Sequence, residues 1–179
     1  LSSFYFDIRK DTLYCDSKGS EKRKSSIILL NIILESLLKW FAPILSFTTE
    51  EIFTIMNKNK KSIHLENFIK FPKSFENEIL NKKWIELKKI RDICNISIET
   101  KRTSKEIGSS LEANLIINLN EKLFKITENI DFSELCITSG ATIKKNDVEE
   151  VSVKTIKAEG VKCPVCWKIN KDKCERHPL

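Results

Sequence analysis

Residues 27–47 read IILLNIILESLLKWFAPILSF, the most membrane-like stretch of the chain. Such a run suits either a membrane span or a packed helix of a water-soluble bundle, and three polar side chains decide between them. Asn31, Glu35 and Lys39 recur every fourth residue and so form one narrow stripe on a helix. Two charges at mid-membrane would cost about 2.5–3.5 kcal/mol each. In water, Glu35 and Lys39 instead attract each other across one helical turn. The spacing predicts a nearly engulfed bundle helix over about 25–41. Pro43 ends it, because proline removes a backbone donor.

Working outward, Leu1, Phe4 and Ile8 begin another helical face, which ends near Tyr14 before a polar run at 16–24. Thr48 and Glu51 stand at capping-box spacing ahead of Ile52, Phe53 and Met56, which predicts a helix start there. Residues 57–62 read as a lysine-rich loop and 63–72 as an extended connection, with His64 in a structural rather than a catalytic position. Over about 76–105, Leu80, Trp84, Leu87, Cys94 and Ile98 share one broad helical face. The lysines of that helix read first as a solvated surface. After Gly108 the period shortens. Residues 115–119 predict a strand, 121–128 a short helix, and 135–139 and 151–156 two more strands. The fold class is therefore mainly α: a helical bundle over 1–107, a small α+β unit over 108–157, and a metal-binding module over 158–179.

With 179 residues, 31% charged side chains and only four Gly and four Pro, the chain is neither collagen-like nor wholly disordered. Cys15, Cys94 and Cys136 sit singly in apolar stretches, where packing is their default role. Cys163, Cys166 and Cys174 fall within twelve positions. With no signal peptide ahead of them, they read as one metal cluster in a reduced, intracellular protein. The start at Leu1, without an initiator Met, points to a piece of a longer protein. Residues 151–179 hold seven basic and three acidic side chains, the most basic part per residue, which points to a polyanion partner.

The cluster has the form C-x2-C-x7-C-x2-H, with Cys163, Cys166, Cys174 and His177 as ligands. Two pairs with two-residue gaps aim four soft donors at one point, which suits one structural Zn²⁺ in a tetrahedral site. A tail of this length buries too little apolar area to fold alone, and the ion supplies the organising energy. Lys162, Lys168, Lys171, Lys173 and Arg176 surround the cluster and favour the thiolate forms. Trp167 either covers one side of the knuckle or stacks on an unpaired base. There is no GxGxxG, no P-loop and no Gly-x-Ser-x-Gly elbow, so the chain shows no self-contained active site.

Several of these residues, in order, resemble a known family. The segment from Leu1 to Tyr14, LSSFYFDIRKDTLY, is similar to a helix in the anticodon-binding domain of isoleucyl-tRNA synthetases. The resemblance continues through WFAPILSFTTEE at 40–51, SIHL at 62–65 and KEIGSSLEA at 105–113, and ends with the CPVCW knuckle at 163–167. It implies the carboxy-terminal part of a cytoplasmic, monomeric class I aminoacyl-tRNA synthetase. The catalytic domain, which uses ATP, and the first helices of the bundle would precede Leu1. The partner it implies is the isoleucine-accepting tRNA, with no membrane association. By motif match it carries a zinc-binding role onto Cys163, Cys166 and Cys174. The family commonly has a cysteine where His177 stands, and a longer gap between the pairs.

Lys162, Trp167, Lys168, Lys171, Lys173 and Arg176 are the expected RNA contacts, with Arg9, Lys10 and the cations at 82–91 as poorer ones. The alternative is a free-standing zinc-finger nucleic-acid-binding protein. The same finger type occurs in formamidopyrimidine-type DNA glycosylases, but those need a catalytic amino-terminal proline, and this chain starts Leu-Ser-Ser.

Overall fold

The computed structural model describes residues 2–57, 61–146 and 149–177. Leu1 of the expected first helical face, positions 58–60 of the expected loop and the last two residues of the tail lie outside them. The chain forms two compact units, residues 12–76 and residues 1–11 with 77–179. No helix of the described residues is long and apolar enough to cross a membrane.

Residues 12–76 hold α2 (Glu21–Phe41), α3 (Ser46–Met56) and a 3-10 turn, Ile63–Leu65; α1 (Asp7–Cys15) contains the boundary between the units. The Ser20 hydroxyl caps α2 by accepting from the Arg23 N–H at 3.4 Å. Leu38, Ala42, Phe53 and Ile63 form a small core, with Leu34 and Ile52 packed against it. The Glu50 carboxylate fastens the turn to α3, accepting from the Ser62 hydroxyl and the Ile63 N–H, both at 2.9 Å. Glu35 and Lys39 make the expected pair, at 2.7 Å.

Two expectations fail in this unit. The helix at 25–41 is not engulfed: Ile28 is 60% exposed, and Ile27 and Leu29 are exposed too. Within residues 12–76, α3 and one short turn are too little to cover an apolar stripe as broad as that of α2. Nor does Thr48 cap α3, which starts at Ser46. Leu45 holds the cap position without a side-chain hydrogen bond, and its carbonyl accepts the first helical bond, from the Thr49 N–H at 2.9 Å.

The other unit is organised by α4 (Glu78–Thr103) and a sheet of β1 (Ala113–Leu119), β2 (Gly140–Lys145) and β3 (Ser152–Lys157) in the order β2-β1-β3. β1 runs parallel to β2 and antiparallel to β3. The parallel pair requires a crossover, supplied by α5 (Glu121–Ile126) and α6 (Phe132–Leu135). Leu87, Ile90, Cys94 and Ile98 on α4 bury one stripe against Ala113, Leu115, Ile117 and Leu119 of β1, none of which exceeds 3% exposure. Cys94 meets Cys136 in this core. Their hydrogen bond, and burial after it, push the Cys94 thiol far above its usual range, so it packs as a neutral group.

The strand expected at 135–139 is absent. The Asp131 carboxylate accepts from the N–H of Ser133 at 2.8 Å and of Glu134 at 3.3 Å, which starts a helix at Phe132. Ile137 then turns the chain in the left-handed region, with φ 56°, and the strand begins only at Gly140. Burial of Leu135 and Cys136 in succession imitates a strand in the sequence, although a helix end and a turn produce it.

Truncating Leu87 to Ala should lower the unfolding free energy by about 2–5 kcal/mol, because the cavity opens at a fully buried site. Tyr14→Ala, at a site 83% exposed, should change it by less than about 0.5 kcal/mol. Urea titration followed by circular dichroism measures both.

Candidate metal centre

Beyond β3 the chain turns at Gly160 and enters a small hairpin of β4 (Val161–Lys162) and β5 (Ile169–Asn170). Gly160 has φ +134°, and a Cβ there would lie 2.1 Å from the Asn170 carbonyl oxygen, so no other residue fits without moving the backbone. The Cys163 N–H donates to the Lys168 carbonyl and the Trp167 N–H to the Cys163 carbonyl, both at 2.9 Å. These bonds close the knuckle, with Trp167 at φ 64°. A second turn, in which the His177 N–H donates to the Cys174 carbonyl at 3.1 Å, presents the other pair.

One donor atom each from Cys163, Cys166, Cys174 and His177 lies within 4.8 Å of the other three. Cys166 Sγ and Cys174 Sγ are 3.8 Å apart, and His177 Nδ1 is 3.6 Å from Cys163 Sγ and 3.5 Å from Cys174 Sγ. A tetrahedron whose centre-to-sulfur bonds are about 2.3 Å has sulfur–sulfur edges of about 3.8 Å, and a nitrogen corner shortens its edges to about 3.5 Å. The cluster thus has the size and donor chemistry to hold one metal ion.

Its thiols are not equivalent. The backbone N–H of Cys166 points at the Cys163 sulfur, and the Val165 N–H and the thiols of Cys166 and Cys174 add to it. Against opposition from burial, these lower the Cys163 thiol from 9.0 to about 6. Burial pushes Cys166 up to about 11, helped by its two sulfur neighbours. Cys163 is therefore the thiolate that first offers itself to an ion at neutral pH.

The knuckle is bound to the rest of its unit. The Ser139 hydroxyl accepts from the Ile169 N–H at 2.6 Å and donates to the Leu111 carbonyl. Arg176 Nη1 pairs with Asp11 Oδ2 at 2.6 Å, and Lys168 Nζ donates to Ser133 Oγ at 3.4 Å. Ser139 and Asp11 lie 30 and 165 positions from their partners, and no sequence signal links them.

The remaining expected site residues divide by environment. Trp167 is 59% exposed, with the Lys162 ammonium 5.7 Å from its ring centroid. Lys171 and Lys173 are exposed, Lys168 is half-buried, and Arg176 is engaged with Asp11. Among the poorer candidates, Arg9 pairs with Glu134 at 2.7 Å, and Arg91 donates to the Leu135 carbonyl at 2.8 Å.

A profile of the family described as "Anticodon-binding domain of tRNA ligase" matches residues 1–117. An isoleucine–tRNA ligase of Pelagibacter ubique is 76% identical over 99% of the chain and 20% of its own length. Those of Bartonella quintana and Agrobacterium fabrum are 40% and 39% identical over 96% of the chain, each with 19% of its own length covered. The chain spans about a fifth of the length of these relatives.

Because the Cys163 thiol titrates lower in the folded chain than its ordinary 9.0, folding favours its thiolate. That contribution is complete above pH 9.0 and is lost as the pH falls through about 6. Bound metal should accordingly be retained at neutral pH and released in mild acid, as followed by a chromogenic chelator. In the metal-free chain at neutral pH, iodoacetamide should label Cys163 well before Cys166, which peptide mass spectrometry resolves.

Proposed function

The chain belongs to the anticodon-binding domain family of tRNA ligases, and from that premise we propose that it is the tRNA-gripping, non-catalytic carboxy-terminal part of an isoleucine–tRNA ligase. The observation that carries this reading is the similarity to isoleucine–tRNA ligases along 99% of the chain, knuckle included. The complete enzyme would join isoleucine to its tRNA in the cytoplasm, as a monomer, at the expense of ATP bound elsewhere in the polypeptide. The free-standing zinc-finger alternative is not favoured, since the relatives that match the whole chain are ligases.

The division of labour we assign is a helical anticodon-binding bundle over 1–107, an α+β unit over 108–157 and a zinc module over 158–179. The family match covers 1–117 and so takes in the whole of the assigned bundle. Zn²⁺ is the ion we assign to Cys163, Cys166, Cys174 and His177, because three thiols and an imidazole at these spacings suit a tetrahedral soft site without an open position. When bound, it holds the second turn against the first. The chain's own residues then do the rest. Lys162, Lys171 and Lys173 offer ammonium groups to phosphates, and the exposed Trp167 ring offers a face to an unpaired base. Lys168 acts from a half-buried position, and Arg176 through its hold on Asp11.

In the full-length ligase, Cys163→Ser or Cys174→Ser should abolish binding of one zinc per chain and reduce tRNA charging by about tenfold or more. Isoleucine-dependent ATP–pyrophosphate exchange should stay near its original rate. Equal charging by a zinc-free enzyme would overturn the assigned role of the module. The affinity for tRNA should fall steeply between 50 and 200 mM salt, by about 10³-fold if six phosphates are held.

A further inference from the structure

The sheet has a second face. While the odd positions of β1 are buried under α4, α5 and α6, Asn114, Ile116 and Asn118 point the other way and stay half-buried. Register extends that face over both neighbours. Ile116 lies between Thr142 and Lys154, and Asn118 between Lys144 and Ser152, while Ile156 flanks Asn114. No acidic residue stands on these rows. Lys144 and Lys154 have no ion-pair partner among the described residues, and the Asn114 amide has no hydrogen-bond partner among them. Two unpaired cations, the free Asn114 amide, the Asn118 amide that donates to the Ser152 hydroxyl at 3.4 Å, and two isoleucines thus share a strip about 10 Å wide and about 20 Å long.

The strip runs into the metal-binding module. At its Asn114 end a cavity of about 400 Å³ opens, lined by Ser139, Lys168, Asn170 and Lys171 as well. Its lining carries four cations against three carboxylates, Glu159 and Asp172 among them, a near balance that suits a base rather than a phosphate. We propose that this open sheet face, with its terminal cavity, binds an unpaired stretch of the tRNA. Lys144 and Lys154 meet phosphates, and the Asn114 amide meets the edge of a base seated in the cavity. Unpaired bases display their edges to amides and hydroxyls, whereas an A-form duplex is recognised mostly by its shape. The inference rests on the tRNA-binding reading above and adds the sheet face, with Lys144, Lys154 and Asn114, to the tail cations, several of which line the cavity.

The test uses the full-length ligase with Lys144→Gln and Lys154→Gln combined, two exposed positions whose change leaves the core intact. Affinity for the tRNA should fall by about tenfold, and the slope of log K against log salt should shrink by about 1.4, the value for two single-strand phosphate contacts. Isoleucine activation and zinc content should not change. Asn114→Ala should weaken binding without altering the salt slope. Wild-type ligase that binds tRNA while the double variant binds it equally well, with the same slope, overturns this proposal alone. Wild-type ligase without affinity for tRNA overturns the broader reading as well. Hydroxyl-radical footprinting should show Ile116 and Ile156 protected only when tRNA is present. Protection in the tRNA-free ligase would mean that another part of the polypeptide covers the face, and would overturn the proposal.

Discussion

The burial of Ala113, Leu115, Ile117 and Leu119 along one side of β1 is the constraint on which residues 77–179 depend. A central strand has neighbours on both edges, so its backbone donors and acceptors are satisfied laterally and its two faces are free to differ. One face takes the apolar stripe of α4 and the crossover helices α5 and α6. A shift of pairing by one residue would send Asn114 and Asn118 into that core and Leu115 and Ile117 out of it. The cost of burying two amides without partners fixes the register, and the register decides which residues meet across the open face.

The knuckle depends on the same strand at one remove. Ser139 precedes β2, and its hydroxyl joins Leu111, just before β1, to Ile169 in the hairpin that carries the cysteines. Arg176, between Cys174 and His177, reaches Asp11 on α1. An ion held by the four donors would therefore fix more than a tail, because the turn that supplies Cys174 and His177 also supplies Arg176. The low Cys163 thiol and the high Cys166 thiol follow from local geometry, backbone N–H groups aimed at the first sulfur and burial of the second.

Much of this was legible from local pattern. The i,i+4 stripe of α2, the 3.6-residue face of α4 and the apolar run of β1 are periodic signals that neighbours in sequence are enough to produce. The ligand spacing was legible for the same reason, since C-x2-C is set by a single turn. The misreadings fell where local pattern carried two meanings. Thr48 and Glu51 have the spacing of a cap, yet the chain after Pro43 already entered the helix at Ser46. Leu135 and Cys136 look strand-like, yet the Asp131 cap and the left-handed Ile137 make a helix and a turn.

The sequence by itself determined the long helices, the central strand, the family and the four donors, because each is written in residues near one another along the chain. Only the tertiary structure decided that Arg176 meets Asp11, that Ser139 ties the knuckle to the sheet, and that Lys144 and Lys154 share a face with Asn114. Those pairings depend on strand order and register. Both are settled by the free energy of burying one face of a sheet, a collective quantity that no short stretch of residues encodes.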